Sequence, residues 1–244
     1  MKAMSEPAEP PPFRKSVARE YLESVVVAVV LALFIRTFAV QAFKIPTGSM
    51  IPNLLIGDHL LVNKLVYSPS LGPVEDALLG KKQIRRGHVV VFKFPEDPSR
   101  DFIKRVIGLP GEKVEIRDKK VYIDDQPLEE SAYAHFIDAP LRHDDPEYGF
   151  RGEGQRDNWG PEVVPAGQLF VMGDNRDNSR DSRYWGYLPI DQVKGRALLV
   201  YWSLDANKDE YQRTSFWEWL QDLGRMIWNI RTRTRWDRFF HVIR

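Results

Sequence analysis

The chain has 244 residues, 43% of them apolar and 28% charged, with a formal net charge of +1. That length can bury a full core in one large domain or two small ones, and the balanced charge gives no global attraction to nucleic acid. There are no cysteines, which excludes disulfides, thiolate metal sites and a cysteine nucleophile. The five histidines (His59, His88, His135, His143 and His241) show neither HExxH nor any paired spacing, which argues against a zinc hydrolase.

Residues 1–19 open with a proline-rich, apolar-poor stretch and read as a disordered leader. Arg14, Lys15 and Arg19 precede an apolar run, SVVVAVVLALFI, which Arg36 interrupts before TFAV carries it to Val40. A spanning helix needs about 20 mostly apolar residues, and residues 24–40 supply 17 with one charge. Three readings compete: a short transmembrane anchor over 20–40 with Arg36 snorkelling to the headgroups, a cleavable signal peptide ending at Val40-Gln41-Ala42, and a buried core helix. An arginine suits a signal-peptide core poorly, and basic residues before the span favour a cytoplasmic N-terminus. The anchor is therefore the expectation, with everything after residue 40 outside the cytoplasm.

From residue 43 to about 202 the pattern is mainly strand. Short β-branched or aromatic runs at 59–66, 88–94, 101–107, 113–116, 120–123, 168–172 and 197–202 alternate with Gly, Pro, Asn and Asp clusters. The expected fold is mainly β: an antiparallel sandwich or partly open barrel built from 41–116 and 167–205. Residues 117–166, polar and loop-rich from 129 to 165, read as a smaller inserted, peripheral excursion. Residues 213–244 hold four of the seven tryptophans and seven arginines, with Phe216, Leu220, Leu223, Ile227 and Ile230 near helical spacing. Such an amphipathic segment suits a membrane interface and equally a helix packed on its own domain.

Three segments carry polar chemistry. IPTGSMIPNLLIGD (45–58) presents a serine hydroxyl in a Gly-Ser turn between stiffening prolines; taken alone, it is an ordinary turn. DFIKRVIGLPGE (101–112) reads as a strand with Phe102, Lys104 and Val106 on one face and Ile103, Arg105 and Ile107 on the other. A lysine there is either a solvated outer-face residue or, if turned inward, a desolvated amine of lowered pKa able to take a proton from serine. MGDNRDNSRDSRYWG (172–186) is too rich in Asp and Asn for a strand and forms a tight, internally bonded loop. Arg176 and Ser179 break the EF-hand pattern that would start at Asp174, so no calcium site is expected.

In this order, behind an apolar span, the three segments resemble those of bacterial type I signal peptidase (leader peptidase) over roughly residues 20–205. The resemblance implies a membrane-bound serine endopeptidase of the bacterial inner membrane that removes leader peptides from secreted precursors after small-x-small motifs. It needs no metal and no cofactor, and its partners are the precursors and the lipid bilayer, not nucleic acid. It places the nucleophile at Ser49 and the general base at Lys104, with Ser179 supporting the lysine. Asp181 and Arg183 match a structural acid–base pair. The oxyanion would be held by the Ser49 N–H and the Thr47 hydroxyl; Thr47 stands where some members have serine. Ile45, Pro46, Met50, Leu54 and Ile103 match positions lining the pockets for small side chains, and a core reading fits them equally. Penicillin-binding enzymes need a lysine three residues after the serine, where this chain has Pro52. A self-cleaving repressor of the Ser-Lys type would need a DNA-binding head that residues 1–40 do not offer. A non-enzymatic adaptor would leave Ser49 inert and Lys104 exposed.

Overall fold

A computed structural model describes residues 16–34, 40–64, 83–139, 154–205 and 232–243. The chain divides into two compact units, 1–39 and 40–244. In the first, helix α1 spans Val17–Phe34 and none of its residues is buried. It covers the leading part of the expected anchor; residues 35–39 lie outside the described residues. Among those described, no helix is long and apolar enough to cross a membrane, because the first turns of α1 carry Arg19, Glu20 and Glu23. Val40, assigned above to the anchor, instead begins a strand.

The second unit is mainly β and antiparallel, in two sheets. Its strands are β1 (Val40–Lys44), β2 (Asp58–Asn63), β3 (Val89–Phe94), β4 (Asp97–Gly108), β5 (Lys113–Arg117), β6 (Lys120–Ile123), β7 (Gln126–Pro127), β8 (Trp159–Val163), β9 (Gln168–Met172), β10 (Leu188–Pro189), β11 (Val193–Ser203) and β12 (His241–Val242). The larger sheet runs β1-β2-β11-β3-β4-β9-β10, with β12 added to β11. The smaller runs β7-β6-β5-β8 and begins at Lys113, four residues before the boundary that composition suggested at 117. Val114, Ile116, Val121 and Ile123 of the smaller sheet share one core with Ile107, Phe170 and Met172 of β4 and β9.

Strand β4 links the sheet to the site. Pairing with β3 sets Lys104 opposite Val90, and pairing with β9 starts only at Arg105, opposite Met172. Among the described residues, the second edge of β4 is therefore unpaired before Arg105. From Ile103 to Gly108 every residue is buried, so both faces of the strand are covered. Ile103 joins a core with Ile45, Met50, Leu54, Leu60 and Val62, while Val106 joins Val90, Phe92, Leu169 and Val171. Full burial of each such side chain is worth roughly 1.5–3 kcal/mol.

The C-terminal segment ends in sheet, not in a long helix. Trp236–Arg238 form a 3-10 turn and His241–Val242 extend β11. Arg238 bonds both carboxylate oxygens of the buried Asp58 at 3.1 and 2.6 Å, and Ile243 enters the core. Residues 216, 220, 223, 227 and 230 lie outside the described residues.

Candidate active site

The turn bearing Ser49 is fixed from beneath by its apolar neighbours. Ile45 extends the β1–β2 ladder, donating its N–H to Asp58 O at 2.9 Å and accepting from Gly57 N–H at 3.1 Å. The chain then leaves the sheet at Pro46, and the Ile51 N–H closes a turn onto Gly48 O at 3.2 Å. Gly48 needs no positive φ; a β-carbon there would stand 2.9 Å from the Ile51 side chain. Met50 and Leu54 sink into the core below and are essentially inaccessible. Asn53 reaches sideways, its amide donating to Tyr133 O at 2.9 Å and to Asp174 Oδ2 at 2.8 Å.

Lys104 lies inward beneath this turn. Its Nζ stands 2.6 Å from Ser49 Oγ across 55 residues of sequence, and both side chains are buried. Burial disfavours the ammonium and lowers the Lys104 pKa from 10.5 to about 8. The Asp181 and Asp174 carboxylates oppose that shift, and Arg183 assists it. The Phe102 ring, one strand repeat along β4, lies 5.6 Å from Nζ and stacks on Phe94 at 4.2 Å, which keeps that flank apolar.

The polar loop after β9 closes the other side. The Asn175 N–H donates to Ser49 O at 3.1 Å and its side-chain amide donates to Gly48 O at 3.2 Å. Asp181 is buried, accepting from Gly173 N–H at 3.0 Å and from Arg183 Nε at 2.8 Å and Nη2 at 2.9 Å. Burial would raise its pKa, but the Arg183 guanidinium and these hydrogen bonds hold it below the usual carboxylate range. Arg183 in turn donates to Arg156 O and Arg176 O, both at 2.6 Å, so it ties the loop to itself and to the Gly154–Asp157 helical turn. Ser179 is buried against Gly173, and its hydroxyl has no hydrogen-bond partner among the described residues. A β-carbon on Gly173 would fall 2.2 Å from Ser179 Oγ and 2.5 Å from Ser49 O, so only glycine fits there.

Above the Ser49–Lys104 pair opens a groove of about 460 Å³. Its walls include Pro46, Thr47 and Gly48 from the turn, Arg100 to Ile103 from β4, and Asn178 and Arg180 from the loop. Of the expected pocket residues, Pro46 and Ile103 line it. Ile45, Met50 and Leu54 are buried in the one core that also holds Ile103, directly beneath the turn. Thr47 stands exposed on the wall.

The sequence reading missed the buried charge behind the site. Arg105, on the opposite face of β4 from Lys104, makes a two-pronged pair with Asp174 at 2.7 Å on each arm. It also donates to Gly87 O at 2.8 Å and covers the Tyr133 ring at 4.3 Å. Arg176 pairs with the buried Glu130. The partners lie 46 and 69 residues apart, and the only sequence hint was a surplus of charge in otherwise apolar or loop segments.

A hydroxyl and a desolvated amine in contact on the floor of an open groove, on a β framework, resemble the nucleophile and base of serine hydrolases that use no histidine. Known proteins identify the branch. The profile of the family described as signal peptidase, peptidase S26, matches residues 18–202. Signal peptidase I of Leptolyngbya laminosa is 39% identical over 208 residues, covering 82% of this chain and 88% of that protein. Signal peptidase I of Pseudomonas fluorescens is 36% identical over 211 residues, covering 75% and 72%. A crystal structure of a signal peptidase I from Enterococcus faecalis V583 is 30% identical, with a TM-score of 0.37, covering 47% of this chain and 97% of that one. This chain belongs to the signal peptidase family, peptidase S26, and is a serine endopeptidase.

Proposed function

We propose that this chain is a membrane-anchored signal peptidase I that removes leader peptides from precursor proteins, with Ser49 as nucleophile and Lys104 as general base. The observation that carries the reading is the 2.6 Å contact between Lys104 Nζ and Ser49 Oγ, made by a buried amine to which no carboxylate among the described residues is bonded. In the charged form the ammonium donates to the hydroxyl. Once the amine is neutral, the same contact carries the Ser49 proton to Nζ as Oγ attacks the scissile carbonyl. The new ammonium then protonates the leaving amine, the C–N bond breaks, and an acyl-enzyme remains on Ser49. Water attacks the ester while Lys104 takes its proton; the acyl C–Oγ bond breaks, the Lys104 ammonium returns the proton to Ser49 Oγ, and the leader is released with a new C-terminal carboxyl group.

The oxyanion that forms transiently faces the Ser49 N–H and the Thr47 hydroxyl. Threonine keeps the donor that serine would supply. Ser179 has a buried, unpaired hydroxyl and so retains capacity for a bond to the lysine. The unpaired edge of β4 offers main-chain groups to an extended substrate beside the groove. Pro46 and Ile103 present small apolar walls there, consistent with small side chains flanking the cut.

Membrane attachment rests on α1. Val25, Val26, Val27, Val29, Val30, Leu31, Leu33 and Phe34 are all exposed, and apolar surface of that extent on every side of a helix calls for lipid or another apolar cover. Attachment also makes chemical sense, since the leader's own apolar segment resides in the bilayer. The test is cleavage of a secretory precursor whose leader ends in Ala-x-Ala by the detergent-solubilised full chain. Ser49→Ala and Lys104→Met are each expected to lose at least about 10³-fold in rate. Undiminished cleavage by Ser49→Ala would overturn the reading.

A further inference from the structure

Resting on the reading of Ser49 as nucleophile, we infer that Asn175 is a positioning residue whose side chain sets the direction of the Ser49 N–H, the backbone donor to the oxyanion. The argument begins with the peptide unit. Gly48 C=O and Ser49 N–H belong to one planar trans group, so they point in opposite directions and turn together. Whatever holds the carbonyl therefore aims the N–H.

Two donors hold that carbonyl: the Ile51 N–H from within the turn and the Asn175 amide from the loop across the site, each at 3.2 Å. Both lone pairs of Gly48 O are thereby used. The following peptide is fixed in the same way, because the Asn175 N–H donates to Ser49 O at 3.1 Å. One residue thus grips two successive carbonyls flanking the nucleophile. The Ser49 N–H has no hydrogen-bond partner among the described residues, and Gly48 and Ser49 both face the groove. A local turn bond alone leaves the 48–49 plane free to rock. The second donor, on a buried side chain 127 residues away, removes that freedom. The carbonyl of a bound substrate is planar, and only the tetrahedral oxyanion needs the donor accurately aimed. The loss should therefore fall on turnover and not on binding.

The test uses the full chain in detergent with the Ala-x-Ala precursor. Asn175→Ala deletes the side-chain donor while keeping the backbone bond to Ser49. It should lower kcat about 10- to 100-fold, leave KM within about twofold, and leave the midpoint of the acid limb of the pH–rate profile where the wild type has it. Asn175→Leu, similar in size, uncharged and lacking the donor, should lose kcat in the same range, and it serves where the alanine variant melts early. A kcat within twofold of wild type in a folded variant overturns the inference. So does a loss of kcat that comes with a displaced acid limb, since that places the effect on Lys104. Ser49→Ala run alongside separates the two claims: if it still cleaves, the reading of the site fails, and if it is dead while Asn175→Ala is fully active, only the role of Asn175 fails.

Discussion

Lys104 and Arg105 are consecutive, both buried, and fated differently by the two sides of β4. Arg105 turns to the side where Asp174 waits with two oxygens at 2.7 Å, with Gly87 O and the Tyr133 ring completing its shell. Lys104 turns to the groove side, where its bonded partner is a neutral hydroxyl and the nearest ring is Phe102. The nearby carboxylates are engaged elsewhere: Asp181 by Arg183, and Asp174 by Arg105 and Asn53. Burial with a carboxylate makes a permanent ion pair that braces the scaffold. Burial without one makes an amine that surrenders its proton near pH 8 and can act as a base. The framework spends the local carboxylates on arginines, which is what the proposed role of Lys104 requires.

The largest effect comes from breaking the braced side. Asp174→Asn leaves the Arg105 guanidinium buried without its counter-charge and should destabilise the protein by about 3–5 kcal/mol, read by denaturant unfolding in detergent. Replacing both partners, Arg105→Met with Asp174→Leu, should recover much of that loss. If Asp174→Asn costs less than about 1 kcal/mol, the two sides of β4 are not the opposites described.

Breaking the other side should have the reverse sign. Below pH 8 Lys104 is protonated in both the folded and unfolded states, and the folded state bears the full penalty of the buried charge. Between about 8 and 10.5 the unfolded chain holds the proton and the folded one does not, so wild-type stability rises with pH across that window. Lys104→Met has no such proton. Its stability relative to wild type should therefore be greatest at pH 6–7 and decline by roughly 3 kcal/mol as pH approaches 10.5. A difference that does not change with pH would contradict a depressed lysine.

How much of this could be read from the chain differs by residue for physical reasons. Strands with apolar repeats were legible, 120–123 and 168–172 to the residue. β8 was not, because WGPEV carries glycine and proline and its side chains are mostly exposed; nor was the start of β4, where Pro98 and polar neighbours resemble a turn. Ser49 and Lys104 emerged from three motifs taken together. The orientation of Lys104 did not, since period two assigns faces without saying which is buried, and here both are. Ile45, Met50 and Leu54 share a buried core with Ile103, and in sequence an apolar residue next to a nucleophile looks the same whether it touches substrate or supports the turn from below. The Arg105–Asp174 pair and the grip of Asn175 join segments 69 and 127 residues apart, and no local pattern encodes such a meeting.

The most direct test of the central claim, a lysine whose pKa burial lowers far enough for it to activate Ser49, is the pH dependence of kcat/KM for precursor cleavage by the wild-type chain. The account predicts activity rising through an acid limb with its midpoint near pH 8, the value set by desolvation of Lys104. A limb centred near 10.5, or no limb between pH 6 and 10, would mean that Lys104 is not the base.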